Sequence, residues 1–262
     1  MSDARKQPPA YLFALGHAGL PKVLTVQGVT WTFARLFKHD FFAATALYER
    51  ADAPEPTAAE PAPRFGVLKI QRTRHFCGLP LRWLGRFIAH HEIRIYTTLQ
   101  NVPGIPAFLG RVGETGFLHA FIPGTELHPD MPFTPQFFDQ LHALLTAIHA
   151  HDIAYVDTNK RENILFGDDG RPWLIDFQIS WFSPNFLRRI WPARYMLRRL
   201  QRADWYHFFK HKTRLMPQHC TPEDFARGNA RGKLHNLHRR IARPLIDLRR
   251  KFLARYKLEK VK

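Results

Sequence analysis

Tyr155-Val-Asp-Thr-Asn-Lys-Arg-Glu-Asn-Ile-Leu165, followed shortly by Leu174-Ile-Asp-Phe-Gln178, is the stretch of this 262-residue sequence on which the fold turns. Asp157 and Asn163 flank a polar loop. Beyond it, Asn163-Ile-Leu-Phe166 and Pro172-Trp-Leu-Ile-Asp-Phe177 are separated by Gly167-Asp-Asp-Gly170. Two apolar runs around an Asp-Gly tip predict a β-hairpin, which returns Asp176 to the neighbourhood of Asp157 and Asn163. Carboxylate and carboxamide oxygens are hard ligands, suited to magnesium carrying nucleotide phosphates. A carboxylate at a helix-to-loop junction can also take the proton of an attacking hydroxyl, an effect worth about 10²–10⁴-fold in rate.

Working backwards, Thr134 is placed to cap a helix with Phe137, Phe138, Leu141, Leu144, Leu145 and Ile148 on one face, which leads into Ile153 and then Asp157. An earlier helix is predicted over roughly Leu81 to Gln100, with Leu81, Leu84, Ile88, Ile95 and Leu99 as its buried stripe. Glu92 falls on that stripe and is the only acid between Phe65 and Gly113. A carboxylate facing inward needs a cationic partner. Val102-Pro-Gly-Ile-Pro106 stops the helix. Short β-prone runs occupy Val23 to Val26, Phe41 to Tyr48 and Gly66 to Gln71, and Phe117 to Ile122 closes a strand pair before a connector at Pro123-Gly124. Asp52 to Pro63, with four prolines among small residues, is a surface loop inside this β-rich region. Gln27-Gly28-Val29-Thr30 is the sole candidate for a phosphate-binding turn.

The block over residues 153–180 resembles the catalytic loop and metal-binding motif of the protein-kinase-like superfamily, in the divergent bacterial branch of RIO-type and lipopolysaccharide core kinases. The likeness spans roughly Val23 to Ser180. It implies an α+β, two-lobed fold: a small β-rich N-lobe over residues 1–118, with the loop at 52–63 inserted, and a reduced, mainly helical C-lobe over 119–262. It implies ATP and Mg²⁺ as cofactors, with Asp157 as catalytic base and Asn163 and Asp176 as metal ligands. Lys69, in Val67-Leu-Lys-Ile70, would hold the α/β-phosphates with Glu92 as its partner. His119, Phe121 and Glu126 would add nucleotide contacts. The implied reaction moves the γ-phosphate to a hydroxyl, that of a lipopolysaccharide-type sugar or, in a RIO-like enzyme, of a protein. A catalytically inactive pseudokinase scaffold is the non-enzymatic alternative.

The sequence departs from the family pattern in several places. Tyr155-Val156 stands where His-Arg usually precedes the Asp, and the metal motif ends in Gln178 instead of Gly. Asp157 to Asn163 is one residue longer than usual, so either the loop bulges or the base shifts locally, with Asn159 the nearby alternative. No Ala-Pro-Glu element follows residue 180, which disfavours an ordinary peptide platform. Tyr155 is open to two roles, core packing or support of the loop, and Asp204-Trp205 is a candidate buried anchor.

Composition bounds the partners. Residues 1–180 balance 17 Lys/Arg against 17 acids, whereas 181–262 hold 22 against 5, so 22 − 5 = 17 accounts for the whole net charge of +17. Cations interleave with aromatics in Trp181 to Trp191, Tyr195 to Leu200 and Leu245 to Tyr256. That pattern suits an anionic membrane surface, with nucleic acid as the second choice of polyanion. Two cysteines without metal or framework spacing indicate a reducing cytoplasm; the resemblance and the basic region together imply peripheral contact with the inner membrane.

Overall fold

The structure, a computed structural model, describes residues 9–52, 63–76, 78–182 and 190–230. Most of the proline-rich loop (53–62), Cys77 and much of the basic region (183–189 and 231–262, including Leu245 to Tyr256) lie outside the described residues.

The described chain is mixed α+β. Six antiparallel strands form one sheet: β1 (Val23–Val26), β2 (Val29–His39), β3 (Ala43–Arg50), β4 (Phe65–Gln71), β5 (Phe108–Val112) and β6 (Gly116–Ala120), in the order β1-β2-β3-β4-β6-β5. The sheet curls until its edge strands meet, Val26 of β1 packing over Gly110 of β5. Alternation of side chains assigns the two faces. Ala46, Tyr48, Leu68 and Leu118 join Val26 and Trp31 in one cluster. Their neighbours Thr45, Val67, Lys69, Phe117 and His119 turn the other way.

Helix α1 (Arg82–Thr98) packs on that second face. Its buried line is Gly85, Ala89, Glu92, Ile95 and Tyr96, continuing to Leu99; the expected Leu81, Leu84 and Ile88 are only half-buried. The seam is therefore turned towards small residues. The reason is close approach: a Cβ on Gly85 would sit 2.0 Å from the carbonyl oxygen of Arg72. Arg72 itself is buried without a carboxylate. Its guanidinium donates to the carbonyls of Phe41 (2.7 Å), Tyr11 (2.8 Å), His75 (3.2 Å) and Phe13 (3.4 Å), and lies 3.9 Å from the Phe41 ring.

Past the connector come β7 (Gly124–Glu126), α2 (Pro135–Ala150), β8 (Ile153–Ala154), β9 (Ile164–Gly167), β10 (Pro172–Leu174), β11 (Trp181–Phe182), α3 (Trp191–Leu215) and α4 (Pro222–Asn229). Thr134 caps α2 by accepting from the amide of Phe137, and all six expected face residues of that helix are buried. They anchor the larger core with Ile153, Tyr155, Leu174, Phe177 and Phe208. β2 is an eleven-residue strand absent from the sequence reading, because seven of its residues from Phe33 to His39 lack the buried alternation of a strand. Pro192 lies in the first turn of α3, where a proline forfeits no helical hydrogen bond.

Candidate active site

The hairpin β9–β10 pairs Leu174 with Ile164, and the amide of Ile175 donates to the carbonyl of Asn163 at 3.1 Å. Asn163 and Asp176 are thus brought side by side at the hairpin's open end. Asp176 takes a left-handed backbone, φ +63°, which aims its carboxylate back at the sheet. There Lys69 Nζ donates to Asp176 Oδ1 at 2.8 Å and to Glu92 Oε1 at 2.6 Å. One ammonium joins β4, α1 and the segment after β10.

The electrostatics follow from burial. Desolvation raises Glu92 to about 7, although Lys69 and the Gln71 amide both favour its carboxylate. Burial by itself would depress Lys69, but Glu92 and Asp176 together hold it above its ordinary value. Burial would likewise raise Asp176, yet the charge and hydrogen bond of Lys69 keep it below the usual range. Lys69 stays cationic and Glu92 is the member of the pair nearest to titrating.

Asp157 is 7% exposed and lies beside Asn163, whose amide nitrogen donates to Asp157 Oδ2 at 2.8 Å; Lys160 Nζ reaches the same oxygen at 2.6 Å. The additional residue in the loop is absorbed locally. Lys160 N donates to Asp157 O, and a 3₁₀ turn at Arg161–Asn163 brings the chain back. Asn159 instead accepts from Lys210 at 3.0 Å and faces outward. Tyr155 fills both roles left open for it: fully buried, it donates from its hydroxyl to the carbonyls of Ile175 and Asn163.

The loop rests on α3. Asp204, fully buried, accepts from the amides of Tyr155 and Val156 (2.8 Å each), the hydroxyl of Thr158 (2.7 Å) and His149 Nε2 (3.0 Å). Val156 has φ +68°, a left-handed backbone that costs a β-branched residue of order 1–3 kcal/mol. Asp204 holds it there.

A cleft of about 980 Å³ runs between the sheet and the hairpin, lined by Lys69, Asn163 and Asp176 and by His119, Phe121 and Glu126, the three residues expected to add nucleotide contacts. His119 stacks on Tyr96 with centroids 5.3 Å apart, and burial lowers it to about 4, so it is a neutral, flat wall. Phe121 stacks on Phe37 of β2. Lys38 and Thr45 also line the cleft, whereas Gln27-Gly28-Val29-Thr30 does not; Gln27 and Gly28 form the tight β1–β2 turn with positive φ. The expected turn at Gln27–Thr30 therefore lies away from the cleft, which the β2–β3 hairpin borders instead.

Gln71, Lys160 and Asp204 were absent from the expected site. Gln71 was recoverable, since it shares the strand face of Lys69 two residues on. The Asp157 contact of Lys160 and the donors to Asp204 depend on loop geometry that no periodicity encodes.

Asn163 and Asp176 fit a magnesium ion in kind: the bond to Asp157 uses the amide nitrogen of Asn163 and leaves its oxygen for another partner. Among the described residues no three His, Cys, Asp or Glu side chains converge on one point, so an ion here would complete its shell with phosphate and water oxygens. Comparison of the chain with protein-family models and with curated proteins returned no match.

Proposed function

We propose that the chain is an ATP- and Mg²⁺-dependent phosphotransferase acting on a hydroxyl, in a two-lobed protein-kinase-like arrangement with the cleft between lobes. The observation that carries this reading is the single ammonium of Lys69 held between Glu92 and Asp176, in a cleft whose floor also holds Asn163 against Asp157. Lys69 would bind the α/β-phosphates, exchanging part of its contact with Asp176 for phosphate oxygens. Asn163 and Asp176 would hold the ion, which supplies charge neutralisation along the phosphates. Val67, Tyr96 and His119 give the base a flat wall. Asp157 would orient the acceptor hydroxyl and take its proton as the new O–P bond forms and the bond to the ADP oxygen breaks. Lys160, 2.6 Å from Asp157, would steady charge on the transferring group.

The acceptor we favour is a sugar of an envelope glycolipid, met at an anionic membrane surface through the basic region after residue 181. Support comes from the sequence after residue 180, which holds no Ala-Pro-Glu element, and from the cations of α3. Protein hydroxyls, and a scaffold that binds nucleotide without turnover, are the competing readings.

The test is phosphate transfer from labelled ATP to glycolipid extracts and to generic protein substrates, comparing wild type with Asp157→Ala. We expect turnover to fall about 10²–10⁴-fold while nucleotide binding survives. Equal background in both proteins would make the chain a scaffold.

A further inference from the structure

Helix α1 turns Glu92 inward, and its outer face carries an apolar stripe. Trp83 and Phe87, four residues apart, are 63% and 66% exposed, and Leu79 just before the helix is 63% exposed. The same helix line continues through His91 and Arg94, where the chain after Phe177 comes alongside: His91 Nε2 meets the carbonyl of Ser180 at 2.7 Å, and the guanidinium of the exposed Arg94 lies 4.5 Å over Phe182. Strand β11 there packs against α3, whose first turn exposes Trp191 and Tyr195, stacked with centroids 5.8 Å apart. Exposed aromatics thus extend from the start of α1 to the start of α3.

Charge on this face is mostly positive. The described residues of 66–113 and 177–203 contain a single acid, Glu92, and that one is buried. Arg82, Arg86 and Arg94 lie on α1, and Arg194, Arg198, Arg199 and Arg202 on α3. Glu114, from the β5–β6 turn, engages Arg82 and Arg86, and among the described residues the others show no carboxylate partner. Exposed aromatics beside arginines are the composition of a surface that seats at a lipid–water interface. The basic segments 183–189 and 231–262 do not suit this face, because they are themselves cationic.

We propose that the outer stripe of α1, with the first turns of α3, is a docking face for an anionic phospholipid bilayer, into which Trp83 and Phe87 insert. Docking is then not confined to the basic region after residue 181. It engages the helix whose opposite side supplies Glu92 to the cleft. A bilayer is favoured over nucleic acid because Leu79, before α1, and Ile179 (53% exposed), beside Ser180, offer aliphatic surface, which suits acyl chains and not stacked bases.

The experiment is flotation of the full chain with vesicles of phosphatidylcholine alone or mixed equally with phosphatidylglycerol. Wild type should float with the anionic vesicles only. Trp83→Ser/Phe87→Ser should lower the partition coefficient by about tenfold or more, and Trp83→Leu/Phe87→Leu should retain most of it. Both pairs are largely exposed, so thermal unfolding should match wild type. Equal flotation of the Ser variant and wild type overturns the proposal, as does binding that ignores lipid charge. Displacement from vesicles by a single-stranded oligonucleotide, lost in the Ser variant, would reassign the face to nucleic acid. None of these readouts needs turnover, so this proposal and the phosphotransferase reading fail separately.

Discussion

Glu92 and Asp204 are both fully buried carboxylates, yet they are compensated in opposite ways. Glu92 meets one ammonium, Lys69, and one amide, Gln71. Asp204 meets two backbone amides, a hydroxyl and an imidazole. A carboxylate answered by a mobile charge depends on that partner and can change state with it. One answered by backbone donors is tied to a chain conformation, here the 155–158 turn with its left-handed Val156. The first arrangement suits a contact that would be renegotiated if phosphates enter, as proposed; the second suits a fixed platform under Asp157, the proposed base.

The contrast is broken most severely at Asp204. In Asp204→Ala the amides of Tyr155 and Val156 and the Thr158 hydroxyl lose their acceptor inside the core. Uncompensated buried polar groups and a lost buried charge contact cost about 3–5 kcal/mol, and the strain at Val156 loses its restraint. We expect a fall of that size in urea denaturation, with the Asp157 loop losing hydrogen-exchange protection first. Unchanged stability would mean that the turn is held by something other than Asp204.

The same contrast explains what the sequence disclosed. Glu92 was legible because a helix repeats every 3.6 residues, so an acid on an apolar stripe declares itself buried. The six-residue face of α2 and the Asp-Gly hairpin were legible on equally local grounds. Asp204 was visible only as a candidate anchor, because its donors lie up to 55 residues away and two of the four are main-chain amides, identical in every sequence. β2 was missed for a related reason: exposed Phe33, Leu36 and Phe37 abolish the alternation on which strand recognition depends. The seam of α1 was misjudged around Gly85, since pattern reading weights large apolar residues while close helix–strand approach demands none.

That glycine gives a second way to sharpen the comparison. Gly85 is two turns before Glu92 on the same face, and it touches the backbone of Arg72, three residues after Lys69. Helix and strand are therefore pinned at one point and charge-paired at another. In Gly85→Ala the new methyl cannot be accommodated at 2.0 Å from a carbonyl oxygen, so α1 must shift outward. Overpacking of this kind costs about 1–3 kcal/mol. The shift should also lengthen the Lys69–Glu92 contact, so nucleotide affinity should fall further than stability alone predicts. A variant with wild-type affinity and lowered stability would show that the pair tolerates displacement of the helix.

The smallest effect isolates the titration of Glu92. Its folded value, raised by burial to about 7 from an ordinary 4.5, means that the folded state binds the proton more tightly than the unfolded chain. The contribution of this group to stability is therefore greatest below about 4.5 and declines as pH rises towards 7. The slope is at most about 1.4 kcal/mol per pH unit. His119 and His211 act in the opposite sense, because burial lowers each to about 4 and their contribution is lost as pH falls from 6.5. The net curve of the wild type thus mixes both signs, and the informative quantity is the difference from Glu92→Gln. Across that window the variant's stability should rise with pH more steeply than the wild type's. Asp176, held below its ordinary 3.8, does not enter this range. Parallel curves would mean that Glu92 stays ionised throughout, and that the ammonium of Lys69 outweighs the burial of its partner.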